Sequence, residues 1–136
     1  MLCRAISTYK ESIPLSSIEN SWTLLYENNS KIGAFAVCKD NRIIWQTNNW
    51  NLADDTQQLG KAFDNNAPAI VIEGKPYIQV DAQSDYYIAS AKKNGHILMC
   101  RVESGIWLVA WAKTESEPDL AIVDLARTAL TLKDQL

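Results

Sequence analysis

A chain of 136 residues, 47% hydrophobic and 21% charged, can bury a core without staples and is too apolar to be a disordered tail. Its formal net charge of −3 argues against a nucleic-acid binder, whose footprint is usually basic, although net charge does not exclude a local basic patch. Cys3, Cys38 and Cys100 are odd in number and far apart, no C-x-x-C pair occurs, and His96 is the sole histidine. Neither a disulfide framework nor a zinc site is expected, and the cysteines read as reduced, mostly buried thiols of a cytosolic protein. The opening MLCRAISTYKESI lacks the continuous apolar core of a signal peptide, and no run reaches membrane-spanning length, so a cytoplasmic location is expected.

Residues 1–13 are of mixed character and read as a loose N-terminal arm preceding a single domain over 14–136. In PLSSIENSWTLLYENNS, residues Ile18, Trp22, Leu25 and Tyr26 fall near helical spacing, with serine before them as a cap and Asn-Asn-Ser after them as a stop. A helix over roughly 15–27 follows. The Asn28-Asn29-Ser30 triplet reads as a turn rather than a glycosylation acceptor. KIGAFAVCKDNRIIWQT is a hairpin around Lys39-Asp40-Asn41-Arg42. WNLADDTQQLGKAFDNN predicts a helix near 54–64, with Asp54 and Asp55 at its positive end and Gly60 inside it.

From Ala69 onward the pattern changes to short strands with a turn signal about every ten residues. Turns at Gly74-Lys75, Ser84-Asp85, Asn94-Gly95 and Ser104-Gly105 divide a five-stranded antiparallel meander. Asn94-Gly95 is the strongest of them, as a type I′ turn needs two residues that accept positive φ. In IWLVAWA, Trp107, Val109 and Trp111 make one face apolar, while Leu108 and Ala110 do the same for the other. Such a strand lies centrally, covered by helices on both sides, with its tryptophans in the core. Ser116-Glu117-Pro118-Asp119 then opens a final helix, with Ser116 as cap, and Ile122, Leu125, Ala126, Ala129 and Leu132 form its apolar face. The fold class is α+β: an antiparallel sheet of about seven strands, a hairpin plus a five-strand meander, flanked by N- and C-terminal helices.

No catalytic constellation accompanies this architecture. Gly-rich phosphate loops, a G-x-S-x-G elbow and an H-E-x-x-H helix are all missing. Asp54 and Asp55 serve the helix dipole and solvent, and Asp81 and Asp85 bracket a turn. His96 opens a strand, where a surface role is expected. An enzyme is not expected, and no cofactor is called for. Trp22 and Trp45 either pack the first helix on the sheet or form a shallow aromatic groove.

The order of these segments resembles profilin, the small actin-monomer-binding protein. SWTLLYENN is similar to the N-terminal profilin helix, GAFAVCKDNRIIWQ to the first hairpin, and WNLADDTQQLGKAFDN to the helix that follows. EGKPYIQVDAQSDYYIASAKKNGHILMCRVESGIWLVAWA resembles the family's run of strands, with Lys92-Lys93 at its basic turn, and Ser-Glu-Pro-Asp stands where the C-terminal helix begins. The likeness spans roughly residues 20–136. It implies a monomeric, cytoplasmic protein of the cytoskeleton whose partner is monomeric actin or an actin homologue. It also implies that assembly is regulated by sequestering monomer, inhibiting nucleation and easing nucleotide exchange. By position it makes Lys75, Lys92, Lys93, His96, Lys113, Glu117 and Arg127 candidates for actin binding. It makes Trp22, Tyr26 and Trp45 the N-terminal half of a vestigial polyproline groove, and it adds phosphoinositides as a further ligand class.

Two departures stand out. Profilins of animals and fungi usually end in a His or Tyr that helps to grip polyproline, and TALTLKDQL has neither, offering only Leu130, Leu132 and Leu136. Weak or absent binding of proline-rich peptides is therefore expected. The arm before the first helix is extra, and both features are more like the profilins of Asgard archaea. Ile122 and Val123 also fall where profilins often carry amide or basic contacts. An alternative stays open: roadblock and longin domains, scaffolds for small GTPases, share the order of elements but have three strands after the middle helix where five are counted here. A PAS-like ligand sensor would need a hollow core, which the dense Trp and Leu content opposes.

Overall fold

The computed structural model describes residues 15–103 and 105–134. The arm assigned to residues 1–13 lies outside the described residues. The elements run α1 (Leu15–Asn28), β1 (Ile32–Lys39), β2 (Arg42–Gln46), α2 (Thr56–Asn65), β3 (Ala69–Ile72), β4 (Lys75–Ala82), β5 (Tyr86–Ala91), β6 (Gly95–Glu103), β7 (Ile106–Ala112) and α3 (Pro118–Lys133). All seven strands form one antiparallel sheet in the spatial order β2-β1-β7-β6-β5-β4-β3. The expected hairpin and meander are both present. They join where β7 pairs with β1, through Phe35↔Ala110 and Ala36↔Val109.

The composition of β7 explains that join. Every residue in it except Trp111 is buried. Ile106, Leu108, Ala110 and Ala112 point into a cluster with Phe35, Leu98, Leu125 and Ile18, under α1 and α3. Trp107 and Val109 point the other way, into a cluster with Leu59 and Phe63 of α2. A strand apolar on both faces needs cover on both, and the helices provide it. Each buried leucine truncated to alanine here would cost about 2–5 kcal/mol, the lost transfer energy plus the cavity. Trp111 departs from the expected core position: it is half-buried, packed at the margin of the α2-side cluster.

The turns differ in detail from expectation. Asp40 and Asn41 both have positive φ (51° and 65°), as do Glu73 and Gly74 (51° and 78°), and each pair links directly paired strand residues. These are the type I′ hairpins, the second one residue earlier than Gly74-Lys75. At Asn94-Gly95 only the glycine has positive φ (93°). The β5–β6 register closes at Ala91↔Gly95, leaving Lys92–Asn94 as a three-residue connection.

Helix ends show the same kind of adjustment. Helix α3 begins at Pro118, its N-cap is Glu117 and no side chain caps it. Proline at the first helical position sets the cap one residue later than Ser116. Ser116 is instead buried, with its Oγ unpartnered among the described residues. Ala126 lies exposed, while Ala121 and Thr128 join the buried face. Helix α2 starts after Asp55, whose carboxylate accepts the Glu73 N–H at 3.2 Å instead of capping the helix. Gly60 is tolerated inside α2 because a side chain there would collide with Asn41 of the β1–β2 turn. Among the described residues no helix is long and apolar enough to cross a membrane.

Candidate functional site

Strand register gathers charge at one end of the sheet. A row of paired residues, Ile32↔Ala112, Ala112↔His96, His96↔Ser90 and Ser90↔Ile78, crosses five strands. Just beyond it lie the β4 start with Lys75, the Lys92-Lys93 turn and, after β7, Lys113. Glu117 follows as the cap of α3. Six of the seven candidates therefore stand at or near one end. Arg127 does not. It lies within 3.8 Å of Asp124, in the groove between α1 and α3 beside Leu24 and Asn28. Lys31 belongs to the same end although the sequence did not single it out: the Lys113 N–H donates to its carbonyl at 2.8 Å. Only the β1–β7 pairing reveals that neighbour.

His96 ties three segments of this end together. Its Nδ1 lies 2.6 Å from Ser90 Oγ and its Nε2 lies 3.2 Å from the Thr114 carbonyl. A carbonyl can only accept, so Nε2 carries a proton, and in the neutral ring Nδ1 then accepts from the Ser90 hydroxyl.

The second feature is an uncovered face. Helix α3 lies over β6, with α1 beside it, so the same face of β3 and β4 is left bare. Ile78 shares the row that includes the buried Ile32 and Ala112, yet it is 59% exposed; Val71, on the same face, is 43% exposed. Leu120 (62%) and Val123 (50%) are exposed on α3. At the start of β5 Tyr86 donates its hydroxyl to Asp81 of β4 at 2.7 Å, and that bond raises its pKa above the ordinary phenol value. Tyr86 also lines a trough with Val102, Ile122, Val123 and Leu130. Ile122 is thus a buried wall residue, and Val123 an exposed apolar one.

A third feature is aromatic. Trp22 meets Tyr26 at 5.5 Å, and Phe35 sits 5.8 Å from Trp22 and 6.1 Å from Trp45 between ring centroids. The three candidates thus form one run, with buried Phe35 at its centre. The C-terminal helix adds little to it. Leu132 is fully buried, Leu130 lines the trough on the far flank of α3, and Leu136 lies outside the described residues. Among these residues no group of three or more His, Cys, Asp or Glu side chains could hold a metal.

No family profile matches the chain. It is 26% identical over 124 residues to Thor profilin of Thorarchaeota archaeon (strain AB_25), covering 88% of this chain and 97% of that one. It is 29% identical over 103 residues to Odin profilin of Odinarchaeota yellowstonii (strain LCB_4), covering 74% and 85%. Loki profilin 2, solved in complex with rabbit actin, superposes with a TM-score of 0.80 at 22% identity, over 88% of this chain and 97% of that one. A Roadblock/LC7 domain from Streptomyces avermitillis fits less closely, with a TM-score of 0.53 at 8% identity over 82% and 94%.

Proposed function

The chain has the profilin fold and resembles the divergent profilins of Asgard archaea, and from that premise we propose that it binds monomeric actin. The docking surface is the bare face of β3 and β4 with the adjoining flank of α3, bordered by the lysine-rich end of the sheet. The observation that carries this is the exposure of Val71 and Ile78 on the bare sheet face and of Val123 on the trough side of α3, since exposed apolar patches rimmed by polar residues mark interaction sites. The solved complex of Loki profilin 2 with rabbit actin supports the choice of partner. In this reading the apolar centre supplies affinity. Lys75, Lys92, Lys93 and Lys113 steer an acidic partner and set the salt dependence of the on-rate, while His96 and Glu117 complete the rim. Arg127 has no part in this rim and belongs to the α1–α3 groove.

Occupying a monomer in this way sequesters it, slows nucleation and eases nucleotide exchange. The protein acts as a non-enzymatic binder in the cytoplasm, at the cytoskeleton. Phosphoinositides compete for the lysine end, and proline-rich peptides bind weakly or not at all. Pyrene-actin assembly tests the proposal. The chain should slow nucleation, Ile78→Asp should weaken binding at least about tenfold, and charge reversal at Lys92 and Lys93 should slow association at low salt. Unaltered nucleation with the native chain would sink it.

A further inference from the structure

Resting on that actin-binding reading, we propose that Tyr77 and Trp111 are positioning residues that hold the Lys92–Asn94 turn in the shape it presents to actin. The backbone carbonyl of Asn94 accepts two hydrogen bonds, from Trp111 Nε1–H at 2.6 Å and from the Tyr77 hydroxyl at 3.2 Å. The turn joins β5 to β6; Tyr77 comes from β4, on the outer side of β5, and Trp111 from β7, on the outer side of β6. Two donors from opposite flanks of one hairpin therefore converge on a single atom at its tip. A carbonyl has two lone pairs, and both are used.

The indole is seated for this task. A Cβ at Gly33 of β1 would stand 2.9 Å from Trp111 Cζ3, and one at Gly95 would stand 2.8 Å from Trp111 Nε1 and collide with the Ala112 carbonyl. Both flanking strands thus carry glycine where the ring lies. Gly95 also needs its positive φ of 93° to make the turn. These contacts lie on the α2 side of the sheet, opposite the bare apolar face. Lys92 and Lys93 are exposed and form no ion pair among the described residues. Their charges are free for a partner while the backbone beneath them is fixed. Order that exists before binding is not lost on binding, and a steering charge works best from a fixed place.

The test uses the full chain with rabbit actin monomer. Tyr77→Phe, Trp111→Phe and their double variant are each measured with and without Lys92→Ala and Lys93→Ala, at two salt concentrations. The double variant should lose about tenfold in affinity, and in that background the lysine substitutions should cost much less than they do in the native chain. Amide exchange at residues 93–96 should accelerate in the double variant while exchange in β1 and β7 holds. Tyr77→Phe, nearly isosteric, carries the same test at smaller amplitude should Trp111→Phe fail to fold. A structural role alone would lower Tm but leave the cost of the lysine substitutions intact, and that result overturns the proposal. Unchanged affinity with faster exchange at the turn overturns it too, leaving the actin reading standing. Failure of the native chain to bind rabbit actin removes the reading itself, and the positioning role with it.

Discussion

The ring of Trp22 lies almost parallel to that of Phe35, with centroids 5.8 Å apart and planes inclined by 10°. Phe35 is fully buried, so one face of the indole is committed to the core. A polyproline helix binds by stacking on exposed rings and by hydrogen bonds from their polar tips to its carbonyls. The wall that α3 turns toward α1 offers Asp124, Arg127, Thr128 and Thr131, with no ring among them. Missing one such anchor typically costs about 2 kcal/mol, or roughly thirtyfold in affinity. We expect no saturable change in tryptophan fluorescence when the chain is titrated with decaproline at micromolar concentration. Tight binding by the full-length chain would show that Trp22, Tyr26 and Trp45 suffice without a C-terminal partner.

Much of this arrangement was legible in the residues, and the misses have physical causes. The two apolar faces of β7 placed it inside the sheet with helices on both sides. The succession of turns brought Lys75 and Lys92-Lys93 to one end, because alternate turns of an antiparallel meander share an end. Val71 and Ile78 were opaque. Their strands read as apolar in the same way as buried ones, and their exposure depends on how far α3 reaches across the sheet. Arg127 stands apart from the other candidates for a related reason: which side of a helix faces outward is settled by where α1 packs. Trp111 looked like core because alternation registers its face but not its distance from the sheet's end, where Asn94 meets it. The Asn94-Gly95 turn was misjudged because composition favours type I′, whereas the Ala91↔Gly95 register leaves three residues to connect.

The outer edge of β3 bears on association between copies. Gln58 of α2 donates to the Val71 carbonyl at 2.9 Å and accepts its N–H at 2.6 Å, so a side-chain amide imitates a neighbouring strand. An open edge would be a template for pairing with another chain. We expect a monomer of about 15 kDa in sedimentation, unlike the two-fold pairing of roadblock scaffolds. Gln58→Ala should cost about 0.5–1.5 kcal/mol, because water can take over the exposed Val71 N–H and carbonyl, and should raise self-association at high concentration. A tight dimer of the native chain, together with capture of a small GTPase, would favour the scaffold reading.

Alkaline stability follows from the buried thiols. Burial pushes Cys38 and Cys100 up to about 12, with the charge of Asp85 adding to the effect at Cys100. Tyr77 and Tyr87 are raised too, first by burial. These groups keep their protons in the fold but release them on unfolding once pH passes their ordinary values, about 8.5 for a thiol. The unfolded chain then binds fewer protons than the native one, so stability falls as pH rises. It is complete below about pH 8 and declines toward pH 12, by up to about 1.4 kcal/mol per pH unit for each thiol. Urea midpoints should therefore be insensitive to thiol titration from pH 6 to 8 and drop steadily above 9, with a shallower slope in a Cys38→Ala, Cys100→Ala variant. In a Cys3→Ser background, a disulfide-exchange reagent at pH 8 should label the chain only as fast as it unfolds, since a protonated, buried thiol is inert. Rapid labelling of the native fold, or midpoints that stay level to pH 11, would contradict the burial that sets both effects.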